Sequence, residues 1–328
     1  MTPELEIPLR VPGPDRRVLL AELQGKGEPP ELTPELAEAE LAYNLLLPRL
    51  RAVYREASRP WPEETEELVH DVRVASRRLA AALTLLGPVL DPRTVKRAKR
   101  RAKALRNALG VSREVDVMVG EFHRLAEAAE LDERAVHALD MLVERGQHAL
   151  HKAKEAHPPE QLLRHGVDVL VAALRPRSPL TLRALAGPHL YDTVTRASAL
   201  VETLTASDRP EEHHQLRIEC KHVRYAVEIL APAFPEHLDG ATLTEQMKAV
   251  QDALGILNDA QDLLHWLQGP LLADAVGAEA AARVVALAQA EREARYEAAR
   301  DLVLPQGPLL FGDLRRAAGL ISQLTRAA

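Results

Sequence analysis

Apolar residues recur every three to four positions along most of the chain after Pro34, with polar residues between them. This spacing places the apolar side chains on one side of an α-helix. Pro and Gly residues interrupt the pattern, and we place the helix ends at those interruptions. Amphipathic helices with short connections are typical of antiparallel bundles, so we predict an all-α fold. The predicted helices are 35–58, 63–87, 92–109, 113–130, 132–157, 160–175, 180–206, 209–232, 241–254, 258–268, 276–303 and 312–327.

The first 34 residues differ in composition from the rest of the chain, since they contain seven prolines and three glycines. We interpret residues 1–34 as an irregular N-terminal arm, with at most a short strand near residues 5–9. The remainder, residues 35–328, is predicted to be one helical domain.

An internal repeat divides that helical domain. Residues 70–79 (HDVRVASRRL) align with residues 214–223 (HQLRIECKHV). We therefore predict a first repeat over about 35–157, a second over about 180–305, and a C-terminal helix that runs to residue 328. The alignment pairs His70 with His214, Arg73 with Arg217, Arg77 with Lys221 and, further along, Lys103 with Lys248.

The aligned polar residues share one side of their helix. At about 100° per residue, His70, Arg73 and Arg77 form a narrow stripe, and Leu79 and Leu83 lie on the opposite side. The second copy repeats this arrangement. Like charges along one stripe repel each other, and a bound polyanion would relieve that repulsion. Each repeat is therefore predicted to pack one side into a bundle and to direct the other at an anionic ligand.

Charge is distributed unevenly along the chain. The 328 residues carry a formal net charge of −6, yet residues 70–106 contain eleven Lys or Arg against two Asp, a net +9. Such segregation indicates a site for a polyanion. Only 3% of the residues are aromatic, whereas proteins that bind single-stranded nucleic acid stack bases on aromatic side chains. The composition therefore favours a polyanion without bases over nucleic acid.

The sequence offers little support for catalysis. It contains no HExxH metal motif and no phosphate-binding Walker loop. His148 and His151 lie one turn apart, but no paired carboxylates accompany them at ligand spacing. Asp259 and Asp262 are interpreted as residues at the start of a short helix, where carboxylates suit the helix dipole. We predict no enzymatic activity, no metal and no cofactor.

Targeting features are also missing from the sequence. It has no run of about 18 apolar residues, and its N-terminus lacks a basic segment followed by an apolar one. We therefore expect a cytoplasmic protein without a membrane span.

Four segments of the chain resemble the CHAD family, the conserved histidine α-helical domain. They are VHDVRVASRRL (69–79), LGVSREVDV (109–117), HQLRIECKHVRYAVE (214–228) and QDALGILNDA (251–260). The resemblance implies two antiparallel four-helix bundles that pack about a pseudo-twofold axis around a basic groove or pore. It also implies binding of inorganic polyphosphate and association with polyphosphate granules in bacteria.

The resemblance and the basic stripes together select the candidate ligand-binding residues. The sequence departs from the family pattern at Glu114, where the family has Asp, and in the second basic helix, which keeps only Lys248. The candidates are His70, Arg73, Arg77, Arg78, Lys96, Lys99, Arg100, Lys103, Arg106, His214, Arg217, Lys221, Arg224 and Lys248.

Two other functions remain open at the level of the sequence. One is an enzyme that processes phosphate esters or polyphosphate with a His and carboxylate metal site. The other is a scaffold that binds nucleic acid or recruits protein partners, although no feature of the sequence specifies a partner.

Overall fold

The computed structural model describes residues 15–59, 66–131 and 133–327. Within these ranges it contains twelve α-helices, one 3-10 helix (Val201–Thr205) and no β-strand, which confirms the all-α prediction. The α-helices are α1 (Arg16–Gln24), α2 (Glu38–Ala57), α3 (Glu66–Leu85), α4 (Pro92–Ala108), α5 (Gly110–Ala128), α6 (Glu133–Ala156), α7 (Pro159–Ala173), α8 (Leu182–Ala199), α9 (Pro210–Leu230), α10 (Gly240–Leu267), α11 (Pro270–Val276) and α12 (Ala278–Ala327).

Local sequence signals explain where several helices begin. The Asp91 carboxylate accepts a hydrogen bond from the backbone N–H of Thr94 at 2.8 Å, and Pro92 occupies the first turn of α4. Asp239 caps α10 in the same way through Thr242. An N-cap carboxylate satisfies one of the backbone N–H groups that have no partner inside the helix, and proline has no N–H to leave unpaired.

Helix α10 is continuous where two helices were predicted, at 241–254 and 258–268. The predicted break at Gly255 is wrong because the apolar residues on either side, Leu254 and Leu257, are both buried. Glycine inside a helix costs about 1 kcal/mol relative to alanine. The burial of two leucine side chains is worth more than that.

Helix α12 also joins two predicted helices, 276–303 and 312–327, and runs through Pro305 and Pro308. Val303 and Phe311, on either side of the prolines, are completely buried. Packing of α12 against α8 and α10 therefore offsets the backbone hydrogen bonds that the prolines cannot make.

The irregular arm predicted over residues 1–34 is wrong at residues 16–24, which form α1. Leu19 and Leu23 of this helix are buried, and α1 packs against α2 and α7. The strand suggested near residues 5–9 lies outside the described residues.

The larger helices pack in two groups of four. In the first group, α2 contacts α3, α3 contacts α4, α4 contacts α7, and α7 returns to α2. In the second, α8, α9, α10 and α12 contact one another in the same cyclic way. One cluster of buried apolar residues runs through both groups. The pseudo-twofold relation between the two halves and the groove between them stay predictions.

The hairpin of α5 and α6 encloses a smaller apolar core with α10, α11 and α12. At its centre the ring of Phe122 meets Trp266 edge to face, with the centroids 5.8 Å apart. The contact that matters most for the candidate site is between α3 and α9, the two helices that carry the aligned stripes.

Candidate functional site

A pair of hydrogen bonds joins the basic residues of α3 to α4. The Arg73 guanidinium donates to the backbone oxygen of Arg106 at 2.8 Å, and Arg106 donates to the backbone oxygen of Ser76 at 3.2 Å. Arg77, one turn further along α3, donates its Nε to the Arg73 oxygen at 3.3 Å. These bonds hold Arg77 and Arg106 at the surface where α3 and α4 meet.

Arg217 of α9 belongs to the same charged environment. Its Nε is buried and has no hydrogen-bond partner among the described residues. Burial lowers the pKa of Arg217, as does the charge of Arg77 on α3, while Asp259 and Asp262 of α10 oppose the shift. The structure therefore places cations from both halves of the chain within electrostatic range of each other.

Lys221, one turn after Arg217, has the most perturbed pKa in this region. Burial, followed by the charges of Arg217 and Arg77, lowers the pKa of Lys221 to about 7. Asp259 opposes the shift and Arg224 adds to it. Repulsion and desolvation thus outweigh the attraction of the neighbouring carboxylate.

Arg106 completes a group of cations that we call the basic cluster: Arg77, Arg106, Arg217 and Lys221. Burial and the charge of Arg77 lower the pKa of Arg106. Lys99, on the same side of α4, has its pKa lowered by burial and by Arg106. These positive charges are partly desolvated and repel one another, and the carboxylates of Asp259 and Asp262 offset only part of that cost.

A polar chain borders the basic cluster on α9 and α10. Nδ1 of His214 hydrogen-bonds with Oδ1 of Asn258, and the Asn258 amide donates to Asp262 at 2.7 Å. This chain orients the His214 ring and links it to a carboxylate that acts on Arg217.

Two of the candidate residues are already paired with a carboxylate. Arg78 lies 2.9 Å from Glu228, and Arg224 lies 3.3 Å from the same side chain. Arg49 lies half-buried beside them, and desolvation together with the charge of Arg78 lowers the pKa of Arg49 to about 10. Arg78 and Arg224 therefore have a structural role whether or not they also contact a ligand.

The remaining candidates are not part of the basic cluster. His70 is exposed at the start of α3, and no interaction among the described residues links the four exposed cations to the cluster. Those four are Lys96, Arg100, Lys103 and Lys248.

The pattern along the chain did not indicate the role of three polar residues in α10 or of Arg49. Asp259 and Asp262 were assigned to the start of a short helix, but they lie inside continuous α10 and act on Arg217. Asn258 and Asp259 belong to the segment QDALGILNDA (251–260), so that motif did contain the signal. Arg49 had no signal, because a single arginine in an apolar helix reads as an ordinary surface residue.

The described residues contain no group of three or more His, Cys, Asp and Glu side chains arranged to hold a metal ion. Within the same ranges, every helix is too short or too polar to cross a membrane.

Comparison with known proteins places these observations in a family. The model of the CHAD domain matches residues 46–268, so the chain belongs to the CHAD domain family. No curated protein matches the chain.

Two solved structures share the fold. One is the crystal structure of the CHAD domain from the plant Ricinus communis, which is 22% identical, with a TM-score of 0.62 over 88% of this chain and 97% of that one. The other is PptA from Streptomyces chartreusis, which is 18% identical, with a TM-score of 0.61 over 83% of this chain and 99% of that one.

Proposed function

We propose that this protein binds inorganic polyphosphate, without catalysing its hydrolysis, through the basic cluster. Membership of the CHAD domain family supports the ligand class, since the resemblance in the sequence implies polyphosphate binding. The observation that carries the proposal is Arg217, whose buried Nε has no hydrogen-bond partner among the described residues and whose charge is repelled by Arg77 of the other half of the chain.

A polyphosphate chain suits the cluster for energetic reasons. Each phosphate unit supplies oxygens that accept charge-assisted hydrogen bonds from guanidinium and ammonium groups. Partly buried cations that repel each other are destabilising, and an anion between them removes that cost. A chain can also contact α3 and α9 at once, so the second contact forms at high effective concentration.

The aromatic residue nearest the cluster argues for polyphosphate over single-stranded nucleic acid. Tyr225 is only 3% exposed, and the Arg224 guanidinium lies 5.1 Å from its ring centroid. A ring that is already packed and covered cannot stack on a base.

Calorimetric titration of long-chain polyphosphate into Arg77→Ala/Arg217→Ala tests the proposal. Two charge-assisted contacts, each worth about 1.5–3 kcal/mol before screening, predict a loss of affinity of at least about a hundredfold. Arg77 is preferable to Arg73 here, because the Arg73 guanidinium also joins α3 to α4.

The matched control is Arg283→Ala/Arg316→Ala, which removes two exposed cations from α12. Its affinity should stay close to that of the unaltered protein. Equal binding by the two double variants, both fully helical by circular dichroism, would show that the basic cluster is not the site. Tighter binding of single-stranded DNA of matched charge would favour the nucleic-acid alternative.

The proposal extends to polyphosphate granules as the place where the protein acts. A fluorescent fusion should coincide with granules in cells that store polyphosphate, and the Arg77→Ala/Arg217→Ala fusion should be dispersed.

A further inference from the structure

A cavity lies on the side of α4 away from the basic cluster. It has a volume of about 290 Å³ and is enclosed mainly by α2, α4 and α7. The volume of small-molecule binding sites is usually about 300 Å³ or more, so this cavity is close to the lower end of that range. Arg97 and Arg101 line the cavity. At about 100° per residue, Lys99 and Arg106 lie on the opposite side of α4.

The walls of the cavity are apolar. They include Leu50 and Val53 of α2, Leu105 of α4, and Leu162 and Val169 of α7. Burying an apolar group against such walls is favourable in proportion to the area removed from water.

The polar part of the lining includes two arginines, Arg97 and Arg101, and one carboxylate, Asp168. Arg97 and Arg101 form no hydrogen bond and no close ion pair with the residues that the structure describes, although Asp168 attracts Arg101 at longer range. Asp168, which also lines the cavity, is engaged by the Arg16 guanidinium at 2.5 Å. Two arginines one turn apart on α4 thus remain available to a ligand.

The two histidines of the lining do not add to this charge. Burial lowers the pKa of both His157 and His165, and Arg101 lowers that of His165 further. Both rings therefore favour the neutral form, in which one ring nitrogen donates and the other accepts a hydrogen bond.

We propose that this cavity binds an amphipathic anion, with an apolar tail against α2 and α7 and a carboxylate or phosphate head on Arg97 and Arg101. Charge complementarity selects this class: the walls favour a hydrocarbon, and the paired guanidinium groups favour a planar or tetrahedral anion. The proposal is independent of polyphosphate binding, because the two sites use opposite sides of α4.

Titration of the full chain with octanoate, octyl phosphate and 1-octanol, all below their aggregation limits, tests the proposal. The anions should bind with a stoichiometry of one, and 1-octanol, which has the tail without the charge, at least about tenfold more weakly. Tighter binding of octanoate or of octyl phosphate identifies the head group as a carboxylate or a phosphate. Saturation with pyrophosphate should leave the affinity for octanoate unchanged.

Two variants locate the ligand. Arg97→Ala/Arg101→Ala should weaken octanoate binding at least about tenfold but leave 1-octanol binding unchanged. Ala98→Leu, which extends a lining side chain into the cavity, should weaken both. Arg283→Ala/Arg316→Ala is again the control and should bind like the unaltered protein.

The proposal is wrong if neither anion binds, or if octanoate binds both cavity variants as it binds the control. If neither anion binds the unaltered protein and Ala98→Leu has a higher melting temperature, the cavity is only a gap in the packing. None of these results bears on polyphosphate, whose binding is measured separately with the cluster variants.

Discussion

At the scale of single residues, the positive groups of the basic cluster are set apart from the other cations because they are partly removed from water. Arg217 and Lys221 occupy the same kind of local sequence as Arg73 and Arg77. The desolvation of Arg217 and Lys221 follows from the position of α9 between α3 and α10, and not from that local sequence. A lysine whose pKa lies near 7 can take up a proton when an anion binds beside it, so Lys221 should make the proposed polyphosphate binding sensitive to pH.

Polyphosphate binding should weaken as the pH rises above about 7 and should be accompanied by proton uptake. Bound phosphate favours the charged form of Lys221 and therefore raises its pKa. At any pH where Lys221 is neutral in the free protein, binding is accompanied by uptake of a proton. The limiting slope for one proton is about tenfold in affinity per pH unit. Titrations at pH 6.5 and 8.5, in buffers of different ionisation enthalpy, measure both quantities.

Lys221→Arg is the matched variant for this prediction, because arginine stays protonated at both pH values. This variant should bind polyphosphate with little pH dependence, and it should take up less than half as many protons on binding as the unaltered protein does. The same pH slope in both proteins would assign the titration to another group.

The same pKa shift also affects stability in the absence of ligand. The unfolded chain holds the Lys221 proton up to about pH 10.4, whereas the folded protein releases it near pH 7. The unfolded state therefore binds more protons between these values, and the free energy of unfolding should rise with pH across this window. In Lys221→Met this contribution should be absent, which urea denaturation at pH 7 and 9.5 can measure.

Glu228 is the residue whose loss should destabilise the fold most directly. It pairs with Arg78 and Arg224, and it favours the charged form of half-buried Arg49. Glu228→Gln should lower the free energy of unfolding by about 1–3 kcal/mol, because three neighbouring cations lose their carboxylate.

Glu279→Gln is a suitable control for Glu228→Gln. Its side chain is 96% exposed, and its ion pair with Arg283 lies within α12. Urea denaturation should show a change within about 0.5 kcal/mol for this control. A similarly small change in Glu228→Gln would mean that Arg49 and Arg78 are stable without their partner.

At the scale of elements, the continuity of α10 and α12 is the main departure from the pattern along the chain. Gly255 and Pro305 resemble helix ends in the sequence, and both lie inside long helices. A helix end depends on whether the residues beyond it find partners, and here α8, α9 and α10 supply those partners.

Gly255→Ala should stabilise the protein by about 0.5–1 kcal/mol. A Cβ at position 255 meets no atom within 4 Å, and alanine is the better helix former. If the chain turned at Gly255, as the sequence pattern predicts, the substitution would instead be destabilising.

Gly187→Ala provides the contrast in another helix, α8. A Cβ there lies 2.9 Å from the backbone oxygen of Ala318 and clashes with Ser322 of α12. This variant should lose about 1–3 kcal/mol. Thermal or urea denaturation of Gly255→Ala and Gly187→Ala thus compares a helical glycine that has space for a Cβ with one that has none.

At the scale of the whole molecule, the packing of α3 against α9 brings cations of both halves together. A ligand that spans them should be a chain, so long-chain polyphosphate should bind far more tightly than pyrophosphate. Titrating both ligands into the same preparation measures this ratio, and equal affinities would place the ligand on one half alone.

Salt should weaken polyphosphate binding steeply, because each phosphate contact releases a condensed counterion. In a plot of log affinity against log salt, Arg77→Ala/Arg217→Ala should have a slope shallower by about 1.4, at about 0.7 for each lost contact. Lys96→Ala/Lys103→Ala, at exposed positions of α4, tests whether the outer cations also contact the ligand. An equal change of slope in this variant would extend the site beyond the basic cluster.

Features that depend only on neighbouring residues along the chain follow directly from the amino-acid sequence. The apolar period of α-helices, the Asp91 cap of α4 and the charged stripes of α3 and α9 are all local. They predicted the all-α fold, which the structure confirms, and the candidate residues, which stay predictions. The tertiary structure decided the rest. It joined the helices at Gly255 and Pro305, buried α1, and separated desolvated Arg217 from exposed Lys96, because burial depends on which helices pack against a side chain and not on the side chain's own sequence neighbours.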